Sequence, residues 1–155
     1  MKQLPDTPSA LIRLALDDLR KIEGDDRYAV DMYNWHCPSP LAAKCYVCLA
    51  GAVMAKSIEL DPNIWASPTS MKTEIDAPTR LKLCALDDFR TGSIFQGLST
   101  FYDKGRYDEG SFYNNEQVRA IYKKIGVAPG YWRNYNEDFY VYMNKLADEL
   151  QAIGH

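Results

Sequence analysis

The side chains best suited to chemistry gather in one stretch, Trp35-His36-Cys37 followed by Cys45-Tyr46-Val47-Cys48. A tetrahedral zinc site takes nitrogen and sulfur ligands, and His36, Cys37, Cys45 and Cys48 form such a set, with Cys84 as a further donor. Cys45 also suits a nucleophile near the start of a helix, where the helix dipole lowers a thiol pKa. Its base would be His36, because His155 is the only other histidine. A redox Cys-x-x-Cys belongs at a helix start inside a βαβ unit, and no such unit is predicted around it. The unbroken apolar run from Cys45 to Ala55 favours a third outcome, thiols buried as small hydrophobes. No cofactor is therefore expected, with zinc as the alternative.

The elements that would hold these residues are predicted to be helical. Pro8 to Glu23 reads as a helix with Thr7 or Asp6 as cap, a stripe of Leu11, Ala15, Leu19 and Ile22, and Gly24 as stop. Residues 27–35 alternate weakly and allow a minor extended segment. Ser39 and Pro40 then predict the start of a central helix over 41–60, apolar on every face and so surrounded by others. Gly51, costly inside a helix, implies a close backbone approach. The loop after it, 61–76, is expected to turn Ile64 and Trp65 inward. Further helices are predicted over 78–90, along Ile94, Leu98 and Phe101, from a cap at Asn115 through Ile125 to Gly126, and over 137–153. The expectation is an all-α, single domain over 1–155, or a mainly α one with the short extended segment: a compact bundle around the helix 41–60.

Two further patterns bear on function. The segment around Ala15-Leu16-Asp17-Asp18-Leu19-Arg20 echoes Ala85-Leu86-Asp87-Asp88-Phe89-Arg90, so 6–20 and 76–90 could be a repeat, although convergence of two amphipathic helices is the plainer explanation. The acidic pairs could hold Mg²⁺, and a solvated helix edge is preferred. Tyr107, Tyr113, Trp132, Arg133 and Tyr135 lie in segments rich in aromatic residues, the types that carry protein interfaces. They form the expected binding patch, in competition with a role closing the end of the core.

The 155 residues are 46% hydrophobic and 25% charged, an ordinary globular balance. A formal charge of −3 provides no attraction to nucleic acid or anionic lipid, so neither is expected as a partner. The first residues carry no apolar run of a secretion signal, and no stretch is long enough to span a membrane. The thiols are accordingly expected to be reduced, and self-association stays open. Phosphate-loop and dinucleotide fingerprints do not occur.

At Trp35-His36 and Cys45-Tyr46-Val47-Cys48-Leu49-Ala50-Gly51-Ala52-Val53-Met54-Ala55 the chain resembles small proteins encoded by bacteriophages and prophages. Ser9 to Leu19 and Leu146 to Leu150 are similar to their terminal helices, the likeness being good over the first 60 residues and loose beyond. The resemblance implies the cytoplasm of a bacterial host cell. It also implies a non-catalytic accessory protein that binds a host protein, in host takeover or as an anti-defence inhibitor. The alternative from the residues themselves is a small cysteine–histidine enzyme or structural zinc protein built on His36, Cys45 and Cys48.

Overall fold

The computed structural model describes residues 3–71, 74–103, 116–126 and 135–155. Helix α1 spans Pro8–Glu23, where the Thr7 hydroxyl accepts the Ala10 N–H at 3.3 Å and the proline sits in the first turn. Three short strands follow, β1 (Tyr28–Val30), β2 (His36–Ser39) and β3 (Lys44–Val47), and then α2 (Leu49–Lys56). Helices α3 (Ala77–Arg90), α4 (Ile94–Phe101), α5 (Glu116–Ile125) and α6 (Glu137–Ala152) complete the order. Their caps are local: Asp76 accepts from the Thr79 N–H, Asn136 from the Phe139 N–H, and Gly126 follows α5 at φ 70°. Six helices and a mixed three-stranded sheet among the described residues make this an α+β chain. The all-α expectation is thereby corrected.

The correction centres on the predicted helix 41–60. Residues 44–47 of it are β3, which lies between β1, parallel to it, and β2, antiparallel to it. Cys45 and Val47 face inward while Lys44 and Tyr46 face outward, the two-residue period of a strand buried on one side. Ser39-Pro40 does not open a helix; residues 40–43 form the tip of the β2–β3 hairpin, with Ala43 in the left-handed region at φ 52°. A strand running straight into a helix buried all round leaves no polar punctuation, so the two read as a single buried helix.

Helix α2 is the hub. All seven residues from Leu49 to Ala55 are buried. Around it α1 packs on α2 and α6, α3 packs on α2 and α4, and α5 packs on α6. The apolar side chains of all six helices and of β1 and β3 form one core cluster. A fully buried Leu or Phe in it contributes about 1.5–3 kcal/mol by area removed from water. Two glycines set the closest approaches. A Cβ on Gly51 would lie 1.6 Å from the Trp35 carbonyl oxygen, and one on Gly97 would lie 2.3 Å from the Phe89 ring.

The acidic pairs do not form solvated helix edges. Asp18 is fully buried, accepting the Ser57 hydroxyl at 2.5 Å and the Lys21 ammonium at 3.0 Å, which ties α1 to the end of α2. Asp88 accepts the Thr100 hydroxyl of α4 at 2.8 Å, and Asp87 pairs with Arg90. Only Asp17 is exposed, in a pair with Lys21.

Gly51→Ala is expected to lower stability by at least the upper part of the roughly 1–3 kcal/mol range for overpacking, because the clash is with backbone. Gly24→Ala, where the nearest atom to the added Cβ is 3.8 Å away, is expected to be neutral or to gain about 0.4–1 kcal/mol. Urea unfolding of the two variants checks this, and equal midpoints would remove Gly51 from the centre of the packing.

Candidate functional site

The strand β2 and its neighbours bring His36 and Cys45 together. Both lie on the inner face of the sheet, fully and almost fully buried, with Cys45 Sγ 3.5 Å from His36 Nδ1. The imidazole has another commitment. Nδ1 is 2.6 Å from the Ile64 carbonyl oxygen, which can only accept, so Nδ1 carries the proton and donates it there. The Ala66 N–H donates in turn to the His36 carbonyl at 3.0 Å. His36 thus fastens the 61–66 loop along the outer edge of β2.

This arrangement does not activate the thiol. The Cys45 sulfur meets an N–H rather than a free lone pair, so His36 Nδ1 cannot take its proton. Burial pushes Cys45 up to about 11, and burial pushes His36 below the ordinary imidazole value against the Ile64 hydrogen bond. At pH 7 a thiol titrating near 11 is ionised about once in 10⁴ molecules. His36 Nε2 is buried with no hydrogen-bond partner among the described residues, consistent with a neutral ring whose lone pair points into protein.

The zinc set is dispersed. Cys37 follows His36 in a strand and so faces the opposite side of the sheet. Cys48 is the N-cap of α2, where its sulfur accepts the Gly51 N–H at 3.5 Å and burial raises it to about 11. Among the described residues no three His, Cys, Asp or Glu side chains converge as a metal-binding group. Cys84, on α3, is half-buried and raised by burial.

Of the predicted binding patch, Tyr107, Tyr113, Trp132 and Arg133 lie outside the described residues. Tyr135 is packed against the core, its hydroxyl 2.7 Å from that of Tyr140. Tyr140 donates to Glu23 at 3.0 Å beneath the Arg20 guanidinium, 3.4 Å above its ring, and Arg20 grips Glu137 with two bonds of 3.1 Å. That cluster clamps α1 to α6.

Part of the exposed apolar surface of the described residues lies where the sequence did not point. Leu41 at the hairpin tip is fully exposed, and Ile64 and Trp65 are 48% and 63% exposed, correcting their expected inward placement. Between tip and loop runs a groove of about 480 Å³ lined by Arg27, Pro38, Ser39, Pro40, Ala43, Lys44, Cys45, Pro62 and Asn63. A smaller cavity of about 240 Å³, beside Tyr33, Trp35 and Cys48, contains the Asp87–Arg90 pair. The available signals were the prolines at 38, 40 and 62, which stiffen both walls, and an apolar Pro-Leu-Ala-Ala tip where Gly, Asn or Asp is usual.

No family model, curated protein or solved structure matches the chain. No helix among the described residues is long and apolar enough to cross a membrane.

The buried thiols yield one expectation. With a disulfide reagent at pH 8, Cys37 and Cys84 react first, and Cys45 and Cys48 react only as the chain unfolds; fast labelling of the latter pair in native protein would restore a reactive thiol. The imidazole yields another. His36 titrates lower folded than unfolded, so its contribution is complete above about pH 6.5 and falls away as the pH drops through the folded value. His155 is also pushed down by burial and shares that window. His36→Asn keeps an N–H for Ile64 but cannot ionise, so its urea midpoint is expected to change less between pH 7 and 5 than that of wild type or His155→Asn. An unchanged profile in His36→Asn would exclude His36 as the acid-sensitive group.

Proposed function

We propose that this chain is a non-catalytic accessory protein of the phage type, acting in the bacterial cytoplasm by binding a host protein. Its docking face is the β2–β3 hairpin tip with the 61–66 loop. The observation supporting this is the exposure of Leu41 on the hairpin tip and of Ile64 and Trp65 on the loop, the two segments that flank the groove. Tryptophan and leucine exposed together on a built, hydrogen-bonded platform are poorly explained by solubility, and Trp is the residue most enriched among interface hot spots. The one neighbouring group with chemical potential, Cys45 with His36, is held un-ionised and serves the platform instead.

The loop is presented by backbone pairing and by the imidazole, not by a flexible linker, so little order has to be gained on binding. The resemblance at Trp35-His36 and Cys45 to Ala55 supplies the type of protein and of partner, a host protein redirected or inhibited.

A tagged chain and its Leu41→Asp/Trp65→Ala variant, incubated with bacterial lysate, are expected to differ in the host protein they retain, by roughly tenfold or more for a hot-spot loss. Both side chains are exposed, so melting of the variant should match wild type. Identical retained proteins from the two chains would end the assignment of this face.

A further inference from the structure

We infer that the groove beside the hairpin tip takes an acidic peptide segment bearing a large apolar side chain. This rests on the proposed protein-binding role and specifies the chemistry of the partner. The charges lining the groove are Arg27 and Lys44, with no carboxylate among the lining residues, on a chain whose formal charge is −3. Lys44 is exposed and its ammonium has no ion pair or hydrogen bond among the described residues. Arg27 uses Nε and Nη2 on Asp25, and Asp25 also takes the Lys56 ammonium at 2.6 Å, so one carboxylate is shared by two cations. These two partners, Arg27 first, hold Asp25 well below the usual carboxylate range. Asp61, next to Pro62 of the lining, also acts on Arg27, and its carboxylate accepts the Asn63 N–H at 2.7 Å. Arg27 is thus already faced by carboxylates, and Lys44 is the lining cation left for an anionic segment, among the described residues.

The apolar half of the specificity comes from Pro38, Pro40 and Pro62 in the groove, with exposed Leu41 next to Pro40. Strand addition is not the mode. The His36 carbonyl accepts from Ala66 on the outward edge of β2, and Pro38, two residues on, faces the same way without an N–H to offer. Recognition therefore falls to side chains in the groove.

The test uses three labelled twelve-residue peptides and the full chain: one alternating Asp or Glu with Leu and Phe, one with Lys in place of every acid, and one acidic with Gly and Ser only. The first is expected to bind at least about tenfold more tightly than the others, with an affinity that falls as salt rises. Lys44→Glu is expected to weaken it about tenfold while leaving the melting temperature unchanged, since Lys44 is on the surface. Equal binding of acidic and basic peptides, equal binding of the Gly/Ser peptide, or no binding of any of them would overturn the inference. A host protein lost in the Leu41/Trp65 variant but retained equally by Lys44→Glu would leave the binding role standing and remove the acidic segment. No host protein distinguishing the Leu41/Trp65 variant would remove the role itself.

Discussion

The absence of a side chain at Gly51 is the condition on which the rest of the molecule is arranged. It lets the Trp35 carbonyl sit where a Cβ would be, 1.6 Å from that ideal position. The chain entering β2 is thereby pressed onto the start of α2, so sheet and helix share one core instead of standing apart. Helices α1 and α3 pack on α2 directly, α4 and α6 pack on these, and α5 packs on α6. Glycine weakens an isolated helix by about 1 kcal/mol relative to alanine. Here the close contact and seven consecutive buried residues outweigh that loss.

One residue beyond Trp35, the same strand spends a histidine on architecture. The Nδ1 proton of His36 holds Ile64, its carbonyl holds Ala66, and its ring meets Tyr28 edge-on with centroids 6.1 Å apart. A buried imidazole serves this purpose only while neutral, because an imidazolium would leave Nε2–H without an acceptor inside protein. The same burial that makes it a fastener makes it a poor base for Cys45. A cysteine and a histidine 3.5 Å apart resemble a catalytic pair in composition, but proton direction and desolvation decide the opposite outcome.

Several polar groups, buried and exposed, are paired across elements. Asp18 spans α1 and α2 through Ser57, Asp88 spans α3 and α4 through Thr100, and Arg20 joins Glu23, Tyr140 and Glu137 between α1 and α6. These pairs link helices whose apolar stripes alone would allow sliding. The surface they leave at the hairpin tip differs, with apolar side chains in solvent on a stiff frame and cations lining the groove.

By itself the sequence determined those helices whose start, stripe and stop are local. Pro8 to Glu23, the segment after Asp76, and the stripe from Phe139 to Leu150 were all legible, since capping and the helical period act within a few residues. It also marked His36 and Cys45 as neighbours and Gly51 as a close approach. It could not separate β3 from α2, because a strand buried on one face and a helix buried on all faces expose the same apolar run. Pairing with Tyr28–Val30 and His36–Ser39 decided that, and such pairing lies between segments, not within one. The placement of Ile64 and Trp65 in solvent depended on the same step. Apolar composition predicts burial, but once the His36 imidazole and carbonyl fasten Ile64 and Ala66 beside β2, the core is closed behind them and their side chains remain outside.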